Sequence, residues 1–256
     1  MHSTETGRVA RVAVITGAGG GIGLAIAERL ARNGLAVAIL DVAEGTAERA
    51  AATITDSGGT ARGYRADVSD RAQVDAALDA VRAGLGPLAV VVANAAVAPN
   101  QAFLDLALED WNRTLAINLT GTFNVIQSAL PDLLKAGWGR VVLISSSSAQ
   151  RGAARMSHYA ASKGGQLALA KALAVEFAKS GVTVNSIAPS SINTPSVEKK
   201  RAAGIMPPAE KMAKFIPVGR MGTGEDIAAA VSYLVSDEAS YVTGQTISVN
   251  GGSFIG

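Results

Sequence analysis

Residues 9–23 read VARVAVITGAGGGIG: a short β-branched run, a turn of closely spaced glycines, and the apolar start of a helical period at Ile22. The run at 9–15 is apolar on both faces, as in a strand covered by helices on either side. The glycines that follow permit a tight turn and let backbone lie close to whatever packs above it. The same alternation continues outward from this stretch. Strand-like runs at 36–40, 88–92, 141–144, 182–187 and 246–249 are separated by segments of helical period at 22–33, 43–56, 71–83, 111–135, 159–180 and 225–235. Gly34, Gly58, Gly59, Gly137 and Gly181 stand where helices would end. No linker, repeat or low-complexity tract interrupts the rhythm. The expectation is an α/β fold, one doubly wound parallel sheet with helices on both faces, in a single domain over 1–256. Residues 193–217 depart from it, with two short helical pieces at 197–203 and 208–215 and no strand. Long excursions of this kind are usually functional, and this one is expected to be a substrate lid.

Composition narrows the chemistry. The 256 residues include no Cys and two His, which excludes disulfides, thiol nucleophiles, Cys-ligated metals and a multi-His metal site. No metal is expected. Lys and Arg total 23 against 21 Asp and Glu, a net +2 that is no nucleic-acid footprint. No apolar run approaches the roughly 18 residues of a membrane span, and residues 1–8 read as a short frayed tail without a signal peptide's apolar core. A soluble cytoplasmic protein, with neither nucleic acid nor membrane as partner, is expected.

In its strand-turn-helix setting, the turn at 16–23 fits a dinucleotide pyrophosphate, with amides of the helix start facing negative charge. No Lys followed by Ser or Thr comes after the glycines, so a nucleotide triphosphatase loop is disfavoured. Asp41 ends the next strand about 20 residues on. Its carboxylate can accept hydrogen bonds from both adenosine ribose hydroxyls of NAD and would repel the 2′-phosphate of NADP, and no basic residue occurs in 17–23. NAD is therefore the expected cofactor, in a Rossmann-type fold.

Tyr159 and Lys163, four apart, share one face of a helix. An ammonium about 4 Å from the phenol is expected to lower its pKa and make it an acid/base group. Ser145 to Ser148 add hydroxyls at the carboxyl end of a buried strand, where ligands of open α/β sheets bind. If the pleat continues, Ser146 faces the site and Ser145 and Ser147 point elsewhere.

These motifs together resemble the classical short-chain dehydrogenase/reductase family over nearly the whole chain. The turn at 16–23 is similar to the family's TGxxxGxG segment, Asp67-Val68 to its adenine-contacting acid, and Asn94-Ala95-Ala96 to its NNAG segment. Asn118 takes the place of the relay asparagine, Ser146 of the substrate-orienting serine, and Tyr159 with Lys163 of the YxxxK pair. Residues 185–189 resemble the segment entering the nicotinamide pocket, and 241–252 the family's last strand. The resemblance implies a catalytic set of Asn118, Ser146, Tyr159 and Lys163, with Tyr159 as acid/base, Lys163 tuning it and holding the nicotinamide ribose, and Asn118 anchoring a relay water. It implies a cofactor site of Gly17, Gly20, Gly21, Ile22, Gly23, Asp41, Asp67, Val68, Asn94, Ala95, Tyr159, Lys163, Pro189, Ile192 and Thr194. It also implies a homotetramer or homodimer, with long helices paired and 253–256 at a second interface.

Three residues depart from the pattern. Ala93 and Ala96 replace an Asn and a Gly of the NNAG segment, and Ser190 follows Pro189 where the family usually has Gly. A positive φ at Ser190 would strain it. Ser146, Ser190 and Gln150 are the expected substrate contacts, while Arg151 and Arg155 read as solvated or interface arginines and His158 as turned off the catalytic face. The expected activity is NAD-dependent interconversion of a secondary alcohol and its ketone by direct hydride transfer. The alternatives are a 3-oxoacyl thioester reductase on coenzyme A or carrier protein, and a non-catalytic NAD-binding regulatory protein. Ile192, Val197, Ile205, Met206, Met212, Phe215 and Ile216 in and beside the lid favour a mainly apolar substrate.

Overall fold

A computed structural model describes residues 10–255. The chain alternates strand and helix from its first described element. In order, these are β1 (Val12–Thr16), α1 (Gly21–Arg32), β2 (Ala36–Asp41), α2 (Thr46–Asp56), β3 (Thr60–Arg65), α3 (Arg71–Leu85) and β4 (Leu88–Ala93). Then come α4 (Leu108–Leu115), α5 (Gly121–Ala136), β5 (Gly139–Ile144), α6 (Ser148–Arg151), α7 (Ser157–Phe177) and β6 (Val182–Pro189). The last are α8 (Pro195–Ala202), α9 (Ala209–Ala213), α10 (Gly224–Leu234) and β7 (Thr246–Val249).

The strands form one parallel sheet in the order β3-β2-β1-β4-β5-β6-β7. Strand order runs outward in opposite directions from β1 and β4, which opens a crevice at the carboxyl ends of those strands. Two apolar layers enclose the sheet. Val12, Val14, Val91 and Val141 pack with Leu78 of α3, Ile126 of α5 and Ala170 of α7. On the other face Ala13, Ile15, Ile39 and Val92 pack with Ile26 of α1, Ile54 of α2 and Val231 of α10. β1, β5 and β6 bury every residue, which is why both strand faces are apolar in the sequence.

The expected strands and helices are present, with three differences. β3 was not expected: TARGYR alternates exposed and half-buried positions on a sheet edge, so it lacks an apolar run. The single helix expected over 111–135 is α4 and α5 joined by a π-helical turn, Ala116–Thr120, and that turn carries Asn118. The first strand begins at Val12, while Val9, the tail at 1–8 and Gly256 lie outside the described residues. Among the described residues no helix is long and apolar enough to cross a membrane, and no cluster of His, Asp or Glu could hold a metal ion.

Candidate active site

The glycine turn is held from below by β4. Thr16 Oγ1 accepts hydrogen bonds from the backbone N–H of Asn94 and of Ala95, both at 3.0 Å. Asn94 Nδ2 donates to the carbonyls of Thr16 (2.9 Å) and Gly17 (3.0 Å). A Cβ on Gly17 would lie 2.8 Å from Ala95 Cα, and one on Gly23 would lie 2.5 Å from the Gly17 carbonyl, so neither position admits a side chain. Gly20, by contrast, faces open space, and α1 begins there with no side-chain cap on its first amides. Uncapped amides at a helix start, reached over bare backbone, are what a pyrophosphate requires, so these residues fit a dinucleotide.

Asp41 is fixed on the rim. Its carboxylate accepts from the N–H of Gly19 and of Ala43, each at 3.0 Å, which leaves its remaining lone pairs for a ligand. Two cations that lie outside the turn sequence approach this corner. Arg65, paired with Asp41 in the β2–β3 register, donates through Nε to the Val42 carbonyl at 3.3 Å. Arg49 donates to Thr46 Oγ1 at 3.2 Å, and the Thr46 methyl abuts Gly19. Asp67 Oδ1 accepts from Ser69 N (2.9 Å) and Ser69 Oγ (2.6 Å), and Val68 is buried where Gly121 gives it room.

Tyr159, Lys163 and Ser146 meet at the carboxyl end of β5. Ser146 stands near enough to Tyr159 to favour its phenolate, and its Oγ accepts the N–H of Ser148 at 3.1 Å. Ser145 turns away, as expected, and donates to the Lys163 carbonyl at 2.9 Å. Lys163 is wholly buried, its Nζ donating to the Ile144 carbonyl (2.6 Å) and to Gln166 Oε1 (3.1 Å). Burial pushes its pKa down to about 7. The expected lowering of the Tyr159 pKa is corrected here: burial raises it, only the Ser146 hydrogen bond opposes, and the ammonium lies 5.9 Å from the ring centroid. His158 is fully buried and neither ring nitrogen has a hydrogen-bond partner.

Asn118 is also fully buried. Its side chain accepts from Val97 N (2.8 Å) and donates to Val97 O (3.0 Å) and Ser162 Oγ (3.0 Å). Its carbonyl accepts from Thr122 Oγ1 and Gln166 Nε2, both at 2.8 Å. Gln166 was missed in the sequence, where a lone glutamine between Gly165 and Leu167 carries no motif.

The far wall is the segment after β6. Pro189 ends that strand, and its carbonyl accepts the N–H of Ser147 at 3.0 Å. The positive φ falls on Ser191 (52°) and not on Ser190, which is buried and donates its N–H to Val249 at 3.3 Å. The strain expected at Ser190 is therefore absent. Ile192 bridges to Gly222, and Thr194 caps α8 while lying 3.8 Å from where a Cβ on Gly21 would stand. The two short helices expected in residues 193–217 are present as α8 and α9. Gln150 pairs with Ser248 Oγ of β7 at 3.2 Å, outside the Tyr159 group. A 200 Å³ cavity behind this wall is lined by Ser190, Ile192, Ile216, Val218, Arg220 and neighbours.

Residues 17–253 match the family model described as Enoyl-(Acyl carrier protein) reductase. Among curated proteins, 2-(S)-hydroxypropyl-CoM dehydrogenase 3 of Xanthobacter autotrophicus is 37% identical over 94% of this chain and 95% of its own. Cis-4-hydroxycyclohexanecarboxylate dehydrogenase of Sinomonas cyclohexanicum is 42% identical over 94% of this chain and 96% of its own. A crystal structure of an actinorhodin polyketide ketoreductase with NADPH superposes with a TM-score of 0.91 at 33% identity, covering 95% of this chain and 97% of that one.

Proposed function

Since the chain belongs to the short-chain dehydrogenase/reductase family, we propose that it is an NAD-dependent dehydrogenase interconverting a secondary alcohol and its ketone. The observation that carries this reading is the grouping of Ser146, Tyr159 and the buried Lys163, whose ammonium lies 5.9 Å from the Tyr159 ring centroid, at the same carboxyl ends of the strands as the glycine turn. The nicotinamide ring supplies the hydride acceptor when bound. Gly17, Gly20, Gly21, Ile22 and Gly23 hold the pyrophosphate, Asp41 the adenosine ribose, and Asp67, Val68, Asn94 and Ala95 the adenine side. Pro189, Ile192 and Thr194 border the nicotinamide. Ser146 donates to the substrate oxygen and orients it. Tyr159 takes the hydroxyl proton in oxidation and returns it in reduction. Lys163 would hold the nicotinamide ribose through its remaining N–H, and Ser146 favours the phenolate. Ser190 and the lid side chains shape the substrate pocket.

The substrate is a medium-sized, mainly apolar secondary alcohol, cyclic or aryl-alkyl. The cyclic secondary alcohol in the name of the 42% identical relative supports this. Phe123 and Leu134 on α5 and Val175 on α7 are exposed, which supports pairing of the long helices in a homodimer or homotetramer. A second reading, a thioester reductase using NADPH, draws on Arg49 and Arg65 near Asp41, where they offer charge to a 2′-phosphate.

Initial rates with NAD and NADP on cyclohexanol, 1-phenylethanol, 4-hydroxycyclohexanecarboxylate and a 3-hydroxyacyl thioester separate the two. We expect a secondary alcohol to be preferred, with NAD favoured by at least about tenfold and with Asp41→Ala/Val42→Arg moving that preference toward NADP. Higher efficiency with the thioester and NADP would reject the first reading.

A further inference from the structure

Gln166 stands one helical turn after Lys163 on α7 and is wholly buried. A buried carboxamide is costly unless both its ends are satisfied, and here both are. Oε1 accepts from Lys163 Nζ at 3.1 Å, and Nε2 donates to the Asn118 carbonyl at 2.8 Å and to Thr122 Oγ1 at 2.7 Å. The chemistry of the partners dictates the orientation: the Asn118 carbonyl can only accept and an ammonium can only donate. Thr122 spends its hydroxyl proton on the same Asn118 carbonyl, so that oxygen has both lone pairs occupied.

Two of the three ammonium N–H groups are thereby fixed, one on the Ile144 carbonyl and one on Gln166, and the third has a set direction. The amide also closes a circuit. Asn118 donates to Ser162 Oγ, which donates to the Tyr159 carbonyl at 2.8 Å. Lysine and tyrosine are thus tied together through the π-helical turn as well as through their own helix.

From this we infer that Gln166 is the positioning residue for Lys163, its carboxamide bridging the ammonium and the Asn118 carbonyl. An amide holds the amine but does not pass a proton as a water does, so Asn118 serves here as an anchor. Burial alone accounts for the lowered pKa of the amine, and no charged group from β5, β6, the π-helical turn or α4 contributes. Tyr159, one turn earlier, is the titratable group that faces it.

Two substitutions separate positioning from packing. Gln166→Leu keeps the volume, removes the acceptor and excludes water; Gln166→Ala removes the acceptor but leaves space for water to bridge Lys163 and Asn118. Packing ranks Leu as the more stable variant, because Ala leaves a cavity. Positioning ranks them the other way in function. The kinetic arm rests on the proposed activity: kcat/KM with NAD and the best secondary alcohol should fall about tenfold or more in Gln166→Leu and should fall several-fold less in Gln166→Ala. A second arm needs no cofactor. NMR titration of 15Nζ-labelled lysine should place the Lys163 pKa lower in Gln166→Leu than in the unaltered protein, with Gln166→Ala close to the latter. Melting temperatures show that each variant is folded. An unchanged Lys163 titration in both variants, or losses that follow the stability order, would overturn the inference. A Leu-specific shift in a protein that binds neither NADH nor NADPH would uphold it and reject the proposed activity instead.

Discussion

The glycine turn and the segment from Ile192 to Gly222 face each other across one edge of the sheet, and they are held in opposite ways. The turn is packed backbone to backbone. Gly17 and Gly23 have no space for a Cβ, and the Thr16 and Asn94 side chains contribute four hydrogen bonds beneath it. In the opposing segment, α8 and α9 bury none of their residues. That segment is fastened at a few points, by the Ile192–Gly222 bridge, by Arg201, which reaches Pro207 O, Asn193 Oδ1 and Met221 Sδ, and by the buried Ile216 with Val218, whose N–H donates to the Gly251 carbonyl at 3.2 Å. A wall built like the first can host one kind of ligand and tolerates little change. A wall built like the second can change its lining without disturbing the fold, which is where substrate choice belongs.

The largest effect expected from this contrast is at the turn. Gly23→Val places a branched side chain against the Gly17 carbonyl and Ala18 Cα (2.5 and 2.7 Å for Cβ alone). NADH affinity should fall by about 100-fold or more, or the protein should fail to fold. Fluorescence titration with NADH checks it, and near-normal affinity would show that the turn is looser than its contacts indicate.

A middle-sized effect comes from Lys163, on the floor between the two walls. Its folded pKa, about 7, lies below the ordinary lysine value of 10.5. Between those values the unfolded chain binds more protons than the folded one, so this residue makes stability rise with pH across the window. Tyr159 acts in the other direction, since its raised folded pKa costs stability only above about pH 10. Urea unfolding from pH 7 to 9.5 should therefore show stability rising by a few kcal/mol in the unaltered protein and much less in Lys163→Met. Parallel curves would mean that the amine is better solvated than its burial indicates.

The smallest effect is at the outer wall. Phe215 is 77% exposed, so Phe215→Ala should change stability by under about 1 kcal/mol and leave NADH affinity unaltered. The KM for an apolar alcohol should rise about two- to tenfold if the segment closes over substrate. An unchanged KM would remove Phe215 from the pocket.

The same contrast explains what could be read in the sequence. Buried strands and glycine turns carry their constraint in residue type, so β1, β5, β6, the turn and the Tyr159–Lys163 spacing were visible at once. β3 was missed because an edge strand needs no apolar face, and the break at Asn118 because a π-helical turn has no spacing signal. The shared role of Gln166 was hidden for a related reason: its three partners come from two other helical segments and Lys163, and only the fold brings them together. Arg49 and Arg65 reach the Asp41 corner from α2 and β3, so counting basic residues within the turn did not find them.

The central claim is that hydride passes directly from a carbinol carbon to NAD while Tyr159 takes the proton. Its most direct test is a secondary alcohol deuterated at the carbinol carbon, incubated with NAD and either the unaltered protein or Tyr159→Phe. The account predicts one deuterium in the NADH formed by the unaltered protein, and turnover at least about 100-fold slower in Tyr159→Phe with NADH binding retained. NADH without deuterium, or a Tyr159→Phe protein that keeps most of the activity, would contradict it.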